Sequence, residues 1–90
     1  MRTSDAETWA LKALGFLAAD ADALLRFLSL SGLEIEDLRE RAGEPELLAA
    51  VLDFLLADDA LLSAFAATYG LDIKVVNAAR RALPGATPES

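Results

Sequence analysis

Trp9, Ala13, Phe16 and Leu17 recur at intervals of three and four, which places them on one face of a helix. Ser4 followed by Glu7 reads as a capping box, in which the serine hydroxyl takes one free backbone N–H and the glutamate reaches back to another. A first helix is therefore predicted from about Asp5 to Ala18. The punctuation that follows predicts five more. Asp20 or Asp22 caps a second helix that ends near Gly32, and Glu34 opens a third that runs to Gly43. Pro45 stands in the first turn of a fourth, where its missing N–H costs nothing. Asp58 or Asp59 caps a fifth, closed by Gly70, and Asp72 caps a sixth, stopped by Pro84-Gly85. Gly85 to Ser90 read as a frayed tail.

The fourth helix is unusually apolar. Between Pro45 and Ala57 its only charges are Glu46 and Asp53, seven residues apart and so on one edge, shared with Ala49, Ala50 and Ala57. Leu47, Leu48, Val51, Leu52, Phe54, Leu55 and Leu56 cover the rest, which is wider than an ordinary amphipathic stripe. Such a helix belongs at the centre of its own fold, the favoured reading, or against a second copy in a homodimer formed through it.

Compared with itself at an offset of 38, the chain matches at ten of the thirty positions from Leu14 to Gly43. The matches include Phe16/Phe54, Asp20/Asp58, Phe27/Phe65, Gly32/Gly70, Leu33/Leu71 and Ile35/Ile73. Two copies are too few for a solenoid, so they are expected to pack on each other. The predicted fold is all-α: a compact six-helix bundle of two pseudo-symmetric three-helix halves, about 5–43 and 44–83, in one domain covering 1–90. The matched residues take structural roles in this reading. Gly32 and Gly70 end helices in a left-handed turn that costs other residues about 1–2 kcal/mol. Leu33 and Leu71 fold back on the preceding helix. The phenylalanines eleven apart within each copy, Phe16 with Phe27 and Phe54 with Phe65, are expected to meet in the core.

Composition sharpens this picture and removes most chemistry from it. The 90 residues hold 19 Ala and 18 Leu but only 3 Val and 2 Ile, a balance that favours helix over strand. At 54% hydrophobic the chain is too apolar for disorder. No apolar stretch approaches the roughly 18–20 residues of a membrane span, and acids follow Met1 where a signal peptide would turn apolar, so a cytoplasmic protein is expected. Without Cys or His, disulfides, thiolate catalysis, Cys-based metal sites and imidazole acid–base chemistry are excluded. Ser29, Ser31, Ser63 and Tyr69 have no activating base beyond Lys12 or Lys74, and no phosphate loop or nucleophile elbow is present. No catalytic residue, cofactor or metal is therefore assigned. The acid pairs at Asp20/Asp22 and Asp58/Asp59 read as helix caps rather than cation ligands. Glu34, Glu36, Asp37 and Glu40, broken by Arg39 and Arg41, read as a solvated face.

One pattern has a named function. Ala66, Gly70, Val76 and Ala79 fit the spacing of a helix-turn-helix, whose reading helix would carry Lys74, Asn77, Arg80 and Arg81. A net charge of −7, the acid Asp72 at the head of that helix and the unmatched first copy all weigh against nucleic acid. Cations in a last helical turn also complement the helix dipole without any partner. The chain as a whole resembles a family of short bacterial all-helical proteins known only as a domain of unknown function. The likeness is carried by Ala6-Glu7-Thr8-Trp9-Ala10-Leu11, by Ala13 to Asp20, by Val51 to Asp58, by the Gly32-Leu33 corner and by the segment after Gly70. It covers about Ser4 to Pro84 and implies no activity, cofactor or site. The expectation is a non-catalytic interaction module with a protein partner, using exposed apolar surface framed by acids. The helix-turn-helix nucleic-acid binder is the alternative.

Overall fold

The computed structural model describes residues 1–84. They form α1 (Thr3–Ala18), α2 (Ala21–Ser31), α3 (Ile35–Arg41), α4 (Pro45–Leu56), α5 (Asp59–Tyr69) and α6 (Ile73–Arg81), with no strand among the described residues. The fold is all-α, as the Ala and Leu content requires. The tail expected at Gly85–Ser90 lies outside the described residues.

Local chemistry sets most of the helix ends. Of the two acids offered at each corner, the first one caps. The Asp20 carboxylate accepts from the backbone N–H of Asp22 and Ala23 at 3.1 and 3.2 Å, and Asp58 accepts from Leu61 at 3.1 Å. Asp72 accepts from Lys74 at 2.8 Å, and Pro45 opens α4. Gly32 and Gly70 close α2 and α5 with φ of 74° and 62°, the left-handed values that glycine adopts at no steric cost. After Gly70 the Leu71 N–H reaches back to the Ala66 carbonyl at 3.0 Å, the long bond of a Schellman turn.

Two boundaries depart from the expectation. α1 starts two residues before Asp5, with Arg2 as an N-cap that uses no side chain, so the Ser4–Glu7 capping box does not form. Ser4 lies inside the helix, its carbonyl accepting from the Thr8 hydroxyl at 3.1 Å. Docking explains the extension: Thr3 donates to the Ala82 carbonyl beyond α6 at 3.4 Å, and Ala6 is fully buried. α3 begins at Ile35, with the Asp37 carboxylate accepting from the Glu34 N–H at 2.8 Å, and ends at Arg41 rather than Gly43.

α4 sits at the centre. It packs against α1, α2, α5 and α6, and Leu48, Val51, Leu52 and Leu55 are at most 1% exposed. Its broad apolar surface is therefore spent inside the fold, and the motive for a homodimer through that surface disappears. Glu46, Ala50, Asp53, Phe54 and Ala57 remain open or half-buried along one edge, and Pro45 and Leu56 are half-buried as well. α1 meets this centre with Ala6, Ala10, Ala13 and Leu17, all fully buried, so small residues on one helix receive large ones from its neighbours. α6 lies across both α1 and α4 and buries Val76, Ala79 and Leu83. α3 buries Leu38 alone.

The phenylalanines meet, but not in the pairs eleven residues apart. Phe16 packs edge-on against Phe65 with centroids 5.4 Å apart, and Phe27 packs edge-on against Phe54, also at 5.4 Å. Raising each number of the first pair or lowering it by the offset of 38 yields the second pair.

Candidate functional site

An apolar groove of about 300 Å³ runs between α2 and α4. Phe27, Leu30 and Ser31 form one bank, and Ala50, Asp53, Phe54 and Ala57 the other. Helical spacing puts Ala50, Asp53 and Ala57 on one line of α4, with Glu46 a turn before them, so this bank is low and acidic. On α2, Leu30 is 78% exposed, more than any other large apolar side chain described. Phe27 and Phe54 make the floor.

The charges beside the groove are arranged by the fold. Arg80 Nε donates to Asp53 Oδ1 at 2.6 Å and its Nη1 to the Pro84 carbonyl at 3.4 Å. The Asp53 side chain is still 58% exposed, so a carboxylate faces solvent at the rim. Arg26 of α2 pairs with the Asp58 cap at 3.1 Å while its guanidinium lies 5.7 Å from the centre of the Phe54 ring. The Asp58 carboxyl is held below its ordinary value, first by the Leu61 N–H and then, against some desolvation, by Arg26. Arg41, at the end of α3, is raised by its bond to Glu44 and stays charged.

The positions that correspond at the offset of 38 look different. Phe65 and Phe16 again form a floor, but Tyr69 stands where the groove has Ser31, and Lys12 stands where it has Ala50. The Tyr69 ring lies 5.0 Å from Phe65, and Trp9 closes on both at 6.1 and 6.5 Å. The Lys12 ammonium sits 5.5 Å from the Tyr69 ring and 6.0 Å from Trp9. The equivalent space is thus filled by the chain's own aromatic rings with a cation over them.

A second apolar groove, about 330 Å³, lies between α1, α2 and α3, lined by Leu14, Ala18, Leu24, Ile35, Leu38 and Arg39. It exists because α3 buries only Leu38, whereas α6 closes over the corresponding Leu52 and Leu62. α2 is therefore the ridge between two grooves.

The four residues of the helix-turn-helix alternative do not form one basic face. Lys74 and Arg81 are exposed two turns apart on the same side of α6. Asn77 between them is half-buried, its amide directed at the Ile73 carbonyl. Arg80 turns away to Asp53, with its side chain only 15% exposed. Gly70, Val76 and Ala79 of the motif serve the turn and the core. Among the described residues no three Asp, Glu, His or Cys side chains gather as a cation site, and no helix is long and apolar enough to cross a membrane.

From the sequence, Ser31, Tyr69 and Lys12 enter only as a nucleophile or base without the rest of its machinery, and Leu30 is not singled out. Their signal was available: they lie where the two copies differ, Ser31 against Tyr69 and Ala50 against Lys12, while the flanking phenylalanines match.

Neither a curated protein nor a solved structure matches this chain. A family description does, over residues 3–86, which takes in every helix, both grooves and both aromatic clusters. That span agrees with the stretch from about Ser4 to Pro84 that carries the resemblance in the sequence. On this evidence the chain belongs to the family described as protein of unknown function (DUF3572).

Proposed function

We propose that this protein is a non-catalytic interaction module, composed of two duplicated three-helix units, that receives a partner protein in the α2–α4 groove. One observation carries the reading: Leu30 stands 78% exposed beside an apolar groove floored by Phe27 and Phe54. A large apolar side chain at such a place is costly to leave in water and is the usual anchor of a helix-in-groove contact. The groove is small for a metabolite site and offers one charged group, Asp53, with no nucleophile–base pair.

Three things support duplication. The corner residues Asp20 and Asp58 have φ, ψ of −119°, 104° and −124°, 103°. The residues before them, Ala19 and Ala57, have −81°, −9° and −82°, −9°. The crossed aromatic pairs exchange under the same offset, which is the relation that a two-fold axis imposes between like units.

The test is a display selection of random helical peptides on the immobilised full-length chain, repeated on Leu30→Glu. Enriched peptides are expected to lose at least tenfold in affinity for the variant. Peptides that bind both proteins equally would place the contact elsewhere and overturn the groove as the site.

A further inference from the structure

We infer that the α2–α4 groove takes an aromatic side chain accompanied by a lysine or arginine, presented on a helix of a partner protein. The inference rests on the interaction-module reading and adds the chemistry of the occupant. Its source is the comparison between the groove and the equivalent space over Phe16 and Phe65.

The floor is the same in both places: two phenylalanines packed edge-on with centroids 5.4 Å apart. Over Phe16 and Phe65 that floor is covered. Tyr69 lies on Phe65 at 5.0 Å, and the Lys12 ammonium stands 5.5 Å from the Tyr69 ring. Aromatic faces carry negative charge, so a ring placed there favours a cation beside it. Over Phe27 and Phe54 both covering groups are trimmed, tyrosine to Ser31 and lysine to Ala50, and a groove of about 300 Å³ is left.

A second change assigns the charge. Gly15 of the covered floor corresponds to Asp53 of the open one. Asp53 adds a carboxylate one turn along α4 from Ala50, the position of the missing lysine, and the carboxylate remains 58% exposed despite Arg80. Glu46, two turns earlier on α4, extends the same sign along the rim. An occupant bearing a cation is attracted, and an acidic one is repelled. A second copy of this chain is disfavoured as the occupant for the same reason, since each carries −7.

The experiment uses four synthetic peptides on one alanine-rich helical scaffold, bearing Trp with Lys one turn away, Trp with Glu, Leu with Lys, or Leu with Glu. Each is titrated calorimetrically into the full-length protein near physiological salt. The Trp–Lys peptide is expected to bind at least tenfold more tightly than the Trp–Glu and Leu–Glu peptides. Ser31→Tyr, which installs the covering residue of the other half at an exposed position, should abolish that binding while circular dichroism shows the helices intact. Asp53→Asn should bring the Trp–Lys and Trp–Glu peptides to the same affinity. Should the Leu–Glu peptide bind as tightly as Trp–Lys, with both lost in Leu30→Glu, the groove would stand as a docking site and the assigned occupant would be wrong. Absence of binding by all four peptides, or binding unchanged by both Ser31→Tyr and Leu30→Glu, would overturn the site and the occupant together.

Discussion

At the scale of single residues, Gly70 separates backbone strain from crowding. A Cβ built there meets nothing within 4 Å, yet φ is +62°, so the cost of any side chain is conformational. Gly70→Val is expected to lower stability by about 1–3 kcal/mol in urea titrations. Lys74→Ala, four residues on at an exposed site, should change it by less than about 0.5 kcal/mol. Equal melting temperatures for the two variants would contradict the left-handed corner. Ala10 presents the opposite situation, since its backbone is ordinary and its surroundings are closed. Ala10→Leu forces volume into a filled core and should cost about 1–3 kcal/mol. Asp58 supplies the pH dependence. Its carboxyl is depressed in the folded protein, so its contribution is complete above the unfolded value of about 3.9 and is lost as pH falls through the lower folded value. Asp58→Asn can still cap α5, because asparagine keeps the accepting oxygen. Its stability at neutral pH should stay near that of the parent, while the loss of stability below about pH 4 becomes shallower in acid-titrated melts.

Among the elements, α2 and α4 divide the apolar surface between function and stability. Both are rich in leucine, but α4 turns Leu48, Leu52 and Leu55 inward while α2 leaves Leu25 and Leu30 at 64% and 78% exposed. Leu55→Ala should therefore cost about 2–5 kcal/mol, through lost transfer energy and the cavity left behind. Leu30→Lys should change stability by no more than about 0.5 kcal/mol. Chemical denaturation of the pair checks the assignment. A large loss for Leu30→Lys would mean that this side chain belongs to the core and is not free for a partner. α3 and α6 make the complementary contrast. They begin at matching positions, Ile35 and Ile73, yet α6 has nine residues and closes over both α1 and α4, while α3 has seven and leaves a groove beside α2.

For the molecule as a whole, the enclosure of α4 bears directly on oligomeric state. The isolated protein is expected to sediment as a 9.5 kDa monomer at micromolar concentration. A concentration-independent dimer would show that another surface, α2 above all, pairs two copies, and would remove the groove from reach of other partners. The acidic balance acts at this scale too, since copies carrying −7 repel one another at low salt and oppose approach to phosphate backbones. In the proposed duplication, exchange of aromatic pairs between halves makes the core a joint product of both. Neither half would close its phenylalanines alone.

Much of this architecture was legible without coordinates because it depends on neighbours along the chain. Helix content followed from Ala and Leu, and the corners followed from Asp20, Asp58, Asp72, Gly32 and Gly70, whose side chains or missing Cβ act on backbone within three or four residues. The central place of α4 followed from the width of its apolar surface. Distant contacts were another matter. Whether Phe16 meets Phe27 or Phe65, whether Arg80 faces solvent or Asp53, and whether α1 starts at Thr3 or Asp5 depend on groups up to 79 residues apart. Pairing at such distances is decided by how helices stack, which periodicity does not encode. For the same reason the sequence by itself determined the helices and most of their ends, and only the tertiary structure decided where α1 begins, and which of two corresponding aromatic floors was covered and which was left open.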